Sequence, residues 1–587
     1  MMLVAPKGES TVDAVNALAA RTRPPSRWVL PSAPDATAVA VLASALHLPP
    51  VICELLLRRG FGSVESAKRY LRPRIDQLHD PALMLGMDLA VARLVRAIRA
   101  SERIVVHGDY DVDGMASTTV LLRTLRALGG DAIPFIPRRI EDGYDLTMAG
   151  INAAIAADAK VLVTCDCGTN ALAPVEAACK AGIDVIITDH HLPSGPLPTC
   201  LAMLNPKQDG CAYPDEDLAA VGIAFKLSLA LTRTMGGNED DVYRLLDLVA
   251  LATIADVAPL RGENRVLARA GLKVMKDTTN QGLRALIRAS GLEGKPLTAG
   301  RIGFILAPRL NAVGRLGHAL RGVELLMSED EHEANAIARE LEELNRHRQD
   351  VDRKTLARAR EMIEGLDLDV THGIVLAEDG WHPGVIGIVA SRLLEEHGRP
   401  VLLIALDGDE GKGSGRSISA FDLHGALAAC RDLLVRFGGH RAAAGVTIAR
   451  ANVPELARRF NDIALAQLTV DDLVAELRID LELPLSAATL ELEALLRHFE
   501  PFGPSNPTPV LVSRGVRLAA PARVMGDGHL KLRLQTDTGE LEAIGWGMAP
   551  LACALDVSTA FDIAYRLERD DWNGVPRLQA KLAAVHR

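Results

Sequence analysis

The sequence predicts an α/β protein of several domains: a parallel-sheet domain, a long connecting helix, a second α/β domain and a C-terminal β-barrel or sandwich. Three observations carry this expectation. Apolar runs "RIVVH" (103–107), "AIPFI" (132–136), "KVLVTC" (160–165), "DVIIT" (184–188) and "CLAML" (200–204) alternate with helical stretches. Unbroken apolar strands separated by helices signal βαβ units whose sheet is covered on both faces. Residues 328–364 are rich in Ala, Glu and Arg without Pro or Gly, the texture of one solvated connecting helix. From about 475 the texture changes to short alternating strands near ten-residue spacing, "PVLVSRGVRL", "HLKLRLQT", "ELEAIGW" and "FDIAYRL".

Taken in order, residues 1–45 are Ala/Pro-rich and read as a poorly ordered extension followed by short helices. The helices of the first α/β region are expected at 115–128, closed by Gly129-Gly130, at 147–157, and at 171–181, closed by Gly182. Two more follow at 217–235 and 242–255. The second α/β region begins with "GIVLAE" (373–378), continues with a helix at 385–397 and "PVLLIAL" (400–406), and extends to about 467.

Composition narrows the function. At 587 residues the chain is long enough for three or four domains. Hydrophobic content of 48% supports large cores, and aromatics at 3% leave the filling to Leu, Val, Ile and Ala. A net charge of −10 excludes nucleic-acid binding through bulk positive charge, so any such binding uses local patches. The eight cysteines form no CxxC pair, which fits neither a zinc site nor a secreted disulfide framework. No signal peptide and no apolar run of membrane-spanning length is visible, so a cytoplasmic location is expected.

The polar residues with chemistry fall at equivalent places. "RIVVH" ends in His107 and runs into Asp109, Asp111 and Asp113, all of one parity and so on one face of an extended chain. "KVLVTC" leads into Asp166, and "DVIIT" into Asp189, His190 and His191. Ligands of parallel α/β sheets sit outside the carboxyl ends of the strands, so these clusters converge on one rim. A lone Asp after a strand is usually a helix N-cap; three clusters at matching strand ends are harder to explain that way. Crowded carboxylates resist joint ionisation unless a cation sits among them. Mixed Asp/His ligands suit Mn²⁺ or Mg²⁺, and a pair of such ions is the clamp of phosphoester hydrolysis. Asp256, in "ATIADVAPL", is a weaker addition.

"HGDYDVDG", "CDCG", "DHH" and "ATIADVAPL", in that order, resemble the four motifs of the DHH phosphoesterase superfamily. Within it the wording is similar to the RecJ family of single-strand-specific 5′→3′ exonucleases, over roughly residues 50–587. The resemblance implies an N-terminal extension (1–48), a DHH catalytic domain (49–320), a connecting helix (321–368), a DHH-associated substrate-binding domain (369–468) and an OB-fold (469–587). It implies two-metal-ion hydrolysis of DNA phosphodiesters in repair and recombination, with Mn²⁺ or Mg²⁺ as cofactor. Asp111, Asp113, Asp166, His190, His191 and Asp256 are then the catalytic metal ligands, Asp166 the natural bridge. His107 and Asp109 match the start of the first motif and either ligate or support the ligands.

Three segments bear on substrate. "FIPRRIEDGYDL" (135–146) sets Arg138 and Arg139 beside the acids, where guanidinium forks onto phosphate, although a basic surface turn reads the same way. By resemblance Arg139 holds a 5′-phosphate and Tyr144 stacks on a base. "APRLNAVGRLGH" (307–318), "GKGSGRSIS" (411–419) and "FGGHRAAAG" (437–445) are read as Gly-rich turns that approach phosphate closely, or as plain hairpins. The resemblance, with "WHPGVIGIVASRL" (381–393), implies substrate contacts from Arg309, Asn311, Arg315, His382, Ser414, Arg416 and His440. In the C-terminal region Arg514, Arg517, Arg523, Lys531 and Arg533 suggest a groove for single strands, with "FEPFGPSNPTPVL" (499–511) at its entrance. The expected partners are single-stranded DNA with a 5′ end, single-strand-binding protein and a helicase, and the expected state is a monomer. The competing readings are a phosphodiesterase on short oligonucleotides or cyclic dinucleotides, and a non-catalytic binding module.

Overall fold

The computed structural model describes residues 26–139, 141–526, 528–536, 539–570 and 575–586. The first 25 residues of the expected N-terminal extension lie outside the described residues. The chain forms two compact units: one of residues 69–350 and 499–507, the other of the segment ending at Lys68 with 351–498 and 508–587.

The first unit is built on five strands, β1 (Ile104–Gly108), β2 (Ala132–Phe135), β3 (Val161–Cys165), β4 (Asp184–Thr188) and β5 (Ala202–Leu204), in the order β2-β1-β3-β4-β5. Every neighbouring pair is parallel. Parallel pairs need crossovers, and the helices that supply them bury both faces, so β1 and β3 are buried throughout. These strands match the five apolar runs of the sequence. The order reverses between β1 and β3, the switch point at which such sheets bind ligands.

Five helices position the site: α1 (Val112–Ala127), α2 (Ala220–Met235), α3 (Leu246–Ala255), α4 (Gly262–Lys276) and α5 (Ala307–Leu316). The helix expected at 242–255 is two, Glu239–Tyr243 and α3. Helices α1, α2 and α3 bury Leu121, Leu122, Leu125, Phe225, Leu227, Leu248 and Leu251 in the core on one side of the sheet. Helix α4 lies tightly on α3: a Cβ on Gly271 would collide with the Leu246 carbonyl. At the edge of this core Lys226 is wholly buried and donates 2.6 Å hydrogen bonds to Glu263 Oε1 and the His79 carbonyl. Glu263 also accepts from the Tyr213 hydroxyl (2.5 Å) and the His79 N–H (2.7 Å).

"APRLNAVGRLGH", read as a Gly-rich turn, is instead helix α5, entered through a π-helical turn at Ile302–Leu306. Its glycine serves packing, since a Cβ on Gly314 would collide with the Tyr110 carbonyl. The connecting helix α6 (Glu331–Glu364) runs unbroken for 34 residues and passes from one unit to the other at Asp350.

In the second unit, β6 (Ile374–Asp379), β7 (Val401–Asp407), β8 (Glu410–Arg416), β9 (Leu434–Gly439) and β10 (Ala443–Ala449) form one sheet, ordered β9-β10-β8-β7-β6, with helix α7 (Ile386–His397) against it. "GKGSGRSIS" is therefore mostly the central strand β8 rather than a turn. "FGGHRAAAG" is the β9–β10 hairpin. Glycine in β8 is required by side-chain crowding: a Cβ on Gly413 would lie 2.5 Å from Val446 Cγ2.

The C-terminal strands β11 (Leu481–Glu482), β12 (Leu511–Val516), β13 (Leu518–Met525), β14 (His529–Thr536), β15 (Gly539–Gly545), β16 (Phe561–Asp570) and β17 (Arg577–His586) are ordered β11-β12-β16-β17-β15-β14-β13. Strands β12 and β13 lie toward opposite ends of this order yet are separated by one residue, Arg517. One bent strand thus joins the two ends of the sheet and closes a barrel, the device of an OB-fold. A short strand, Arg27–Val29, pairs in parallel with Glu476–Arg478 and stacks Trp28 on His586. No single helix among the described residues is long and apolar enough to cross a membrane.

Candidate functional site

Backbone hydrogen bonds bring the acidic clusters to one rim. Just past each strand, the Asp109 N–H reaches the Cys165 carbonyl (3.1 Å), the Asp166 N–H the Thr188 carbonyl (2.9 Å), and the Asp189 N–H the Leu204 carbonyl (3.1 Å). Each acid therefore extends its ladder by one step, so Asp109 and Asp166 flank the switch point.

The chain turns into α1 directly after β1, so the parity shared by His107, Asp109, Asp111 and Asp113 ends at Gly108. Asp111 is the N-cap of α1 and accepts from the Asp113 and Gly114 N–H groups at 2.9 and 3.1 Å. Asp113 reaches across to the unpaired N-terminus of α2, accepting from Ala220 and Val221, each at 2.9 Å. A carboxylate at a helix N-terminus is favourable on both hydrogen-bonding and dipole grounds. Asp256 ends α3, and the next residue, Val257, is held at φ +62°, an outlier for a β-branched side chain. Asp166 is at φ +65°. Such backbone strain clusters at functional sites.

The outcome is three overlapping groups whose ligand atoms lie within 4.8 Å of one another: Asp166 with His190 and His191, Asp113 with His190 and Asp256, and Asp109 with Asp111 and Asp166. His190 Nε2 is 3.1 Å from Asp166 Oδ1 and 3.9 Å from Asp256 Oδ2. Asp109 Oδ1 and Asp166 Oδ1 are buried without a hydrogen-bond partner. Burial, reinforced by the Asp111 charge, pushes the Asp109 and Asp166 carboxyls well above the usual carboxylate range. The same causes push Asp113 up to about 7, and burial with the Asp113 charge raises Asp256. Orphaned oxygens and mutually repelling carboxyls are what divalent cations relieve, so this donor set fits Mn²⁺ or Mg²⁺.

His107 takes no part in these groups. Its ring is fully buried against Phe135 (5.1 Å between centroids) and close to Gly150, where a Cβ would lie 2.6 Å from Nε2. Its Nδ1 faces the Cys167 thiol at 3.5 Å, and burial lowers its basicity to a pKa of about 4. His107 thus lies beneath the rim, outside the three groups, with its buried Nε2 lacking a hydrogen-bond partner.

Asp189 is the hub that sequence reasoning left unassigned. Its Oδ1 accepts from the His190 N–H (2.7 Å), the His191 N–H (3.1 Å) and His191 Nδ1 (2.7 Å), and its Oδ2 from the Thr169 N–H (3.0 Å). Although burial opposes it, the Asp189 partnership raises His191 to about 9. Burial and the neighbouring His191 charge together lower His190 to about 3. Lys207 Nζ donates to the His190 carbonyl and Asn205 Nδ2 to the His191 carbonyl. The strand-end rule points to Asn205 as well, because it follows β5 directly. Asp189→Asn is expected to weaken Mn²⁺ binding by about 10–100-fold, the usual effect of losing a ligand-orienting carboxylate. Electron paramagnetic resonance (EPR) titration of free Mn²⁺ measures it, and wild-type affinity would remove this role.

A cavity of about 340 Å³ opens over the acids, bordered by Tyr110, Arg139, Tyr144, Asn311, Gly314 and Arg315. The Arg139 guanidinium lies 4.8 Å from the Tyr110 ring centre, while Arg138 turns away to Glu141. Tyr144 is 51% exposed and its hydroxyl is 2.9 Å from His191 Nε2. Asn311 Oδ1 accepts from the Val112 N–H at 3.2 Å, fixing α5 to the Asp109–Asp111 loop. Arg309, on the opposite side of α5, is bound to Glu342 and the Ile305 carbonyl, so it braces the fold and does not border the cavity.

In the second unit, His382, Ser414 and Arg416 gather at the start of α7. His382 Nδ1 accepts from the Gly384 N–H (3.0 Å), and Arg416 donates to Ser414 Oγ (3.2 Å). A Cβ on Gly387, in the first turn of α7, would come within 2.8 Å of Ser414 Oγ and 3.1 Å of the Arg416 guanidinium. Helix start, hydroxyl and guanidinium thus meet at one corner. His440 lies exposed at the β9–β10 turn. On the barrel, Arg514 pairs with Glu482 and Asp562, Lys531 with Glu542, and Arg533 with Glu540, while Arg517 donates to the Ser558 carbonyl. The basic stripe expected there is thus largely neutralised, and Trp546, 59% exposed beside His529, is an aromatic platform the strand reading did not single out.

Three segments of the chain match known family models. Residues 103–253 match the family model described as the DHH family N-terminal domain, 370–466 the DHHA1 domain and 479–584 the RecJ OB domain. The single-stranded-DNA-specific exonuclease RecJ of Bacillus subtilis is 39% identical over 564 residues, 95% of this chain and 71% of that protein. The crystal structure of RecJ from Thermus thermophilus in complex with Mn²⁺ superposes with a TM-score of 0.83 at 33% identity, covering 96% of this chain and 79% of the other. Its complex with Mg²⁺ gives 0.76 at 32% identity, covering 96% and 78%.

Proposed function

The chain belongs to the RecJ family of single-stranded-DNA-specific exonucleases, and we propose that it removes nucleotides from the 5′ end of single-stranded DNA with two divalent cations, Mn²⁺ or Mg²⁺. The observation that carries the reading is the meeting of seven acids and imidazoles, Asp109, Asp111, Asp113, Asp166, His190, His191 and Asp256, at the switch point of the sheet. Two bound cations would supply a nucleophile at neutral pH and offset the charge that develops on the departing oxygen.

The rest is the work of the chain's own side chains. Arg139 and Arg315 face the acids across the cavity and grip phosphate where an acidic rim alone would repel it. Tyr144, exposed at the mouth, offers a stacking face worth about 1–3 kcal/mol per base. Asp189 fixes the His191 ring so that Nε2 is the nitrogen directed outward. The Ser414–Arg416 corner and the Trp546 face serve the strand at further points. Single strands arise by unwinding of duplex, so the reading extends to a cytoplasmic monomer supplied by a helicase and single-strand-binding protein. Offered single strands blocked at the 5′ or the 3′ end, the enzyme is expected to degrade only the second. Degradation of 5′-blocked strands alone, or turnover of dinucleotides alone, would overturn the proposal.

A further inference from the structure

Residues 499–507 interrupt the second unit in sequence but fold with the first, and the contacts they make lead to the Asp256 turn. The Pro504 carbonyl accepts from the Leu260 N–H at 2.8 Å. Gly503 lies so close that a Cβ there would meet Leu260 Cδ1 at 2.7 Å. Arg265, in the first turns of α4 and 2% exposed, donates to the carbonyls of Phe499 (2.9 Å) and Glu500 (3.0 Å), its guanidinium 4.1 Å from the Tyr70 ring centre. Asn506, also 2% exposed, folds the segment on itself: its amide donates to the Phe499 and Pro501 carbonyls at 2.9 and 2.7 Å, and its oxygen accepts from the Tyr70 hydroxyl at 2.6 Å.

Between α3 and α4 runs a short turn, Asp256–Arg261. At one end is a metal ligand followed by a valine held at positive φ; at the other is Leu260, 1% exposed and bonded to Pro504. A strained backbone persists only where its surroundings over-determine it. Helix α3 fixes the approach to Asp256, and the 499–507 segment fixes the departure.

We propose that residues 499–507 are a positioning strap for Asp256, shaped by Asn506, anchored by Arg265 and acting through Leu260. The strap holds the Asp256 carboxylate in ligand geometry, and because it leads into the barrel strand β12, the turn bearing a metal ligand is tied by a short stretch of chain to the OB-fold. The proposal rests on the metal-centre reading above.

The test is Mn²⁺ binding to the full-length protein by EPR, with thermal unfolding recorded in parallel. Asn506→Asp keeps the shape and the acceptor for Tyr70 but loses the amide donors. Gly503→Ala pushes on Leu260 from the same segment and serves where the first variant fails to fold. Both are expected to weaken Mn²⁺ binding by about tenfold, or about 1.4 kcal/mol, and to leave the KM for single-stranded DNA near its wild-type value. Leu481→Ala, in the barrel core, is the control for general destabilisation and is expected to lower the melting temperature without altering Mn²⁺ affinity. Wild-type Mn²⁺ affinity in a folded strap variant would overturn the proposal while leaving the metal-centre reading intact. Absence of Mn²⁺ binding by the wild type would overturn both.

Discussion

Asp166→Asn is expected to lower the rate of strand hydrolysis by about four orders of magnitude, which is about 5 kcal/mol of transition-state stabilisation. Asp166 belongs to two of the three ligand groups and touches the third through His190, so no other acid links as many of the remaining ligands. The side chain is 3% exposed, and its Oδ1 has no hydrogen bond within the protein. Replacing it removes a ligand without opening a cavity. The substitution also removes a buried carboxyl that burial and four neighbouring aspartates already push well above its ordinary range. The metal-free variant is accordingly expected to melt at or above the wild-type temperature. Affinity for single-stranded DNA is expected to stay within about threefold, because the phosphate and base contacts proposed here come from Arg139, Arg315, Tyr144 and the second unit. Single-turnover hydrolysis, differential scanning calorimetry and fluorescence anisotropy check the three parts separately. Near-wild-type hydrolysis would remove the bridging role.

Glu263→Ala is expected to cost about 3–5 kcal/mol of stability, because it leaves the Lys226 ammonium buried and unpaired. Burial already holds the Lys226 amine below its ordinary range, and Glu263 is the first of the groups opposing that shift. The same carboxylate accepts from the Tyr213 hydroxyl and the His79 N–H, so its loss orphans donors from three segments of the chain. For a unit of this size the melting temperature is expected to fall by on the order of 10 °C. Lys226→Met with Glu263→Leu replaces the pair by apolar side chains and is expected to recover most of the loss, since such exchanges are often near neutral. A Glu263→Ala protein as stable as wild type would show that the network carries little of the fold.

The first α/β region was legible because strand burial and strand ends are both local signals. Each apolar run became a strand within two residues of its expected limits, and each polar residue just past a strand arrived at the rim. Side-chain parity misled where the backbone changed state. Asp111 and Asp113 read as strand neighbours but belong to a helix start, while His107, still in the strand, lies beneath the rim. Glycine misled for a related reason. In α5 and β8 it answers close packing against Tyr110 and Val446, contacts that are remote in sequence. Asp189 adjoins the two histidines, yet its role depends on which atoms it faces, and only the folded chain shows that it orients His191. "FEPFGPSNPTPVL" (499–511) reads as the entrance of the barrel, and the carbonyls of Phe499, Glu500 and Pro504 within it are held by Arg265 and Leu260 far upstream.

The proposed two-cation centre comprises seven residues at the rim of the first unit. Anomalous diffraction from Mn²⁺-soaked crystals tests it most directly. Two peaks are expected about 3.5–4 Å apart, bounded by Asp109, Asp111, Asp113, Asp166, His190, His191 and Asp256, with none at His107. A single peak, or peaks outside this rim, would contradict it.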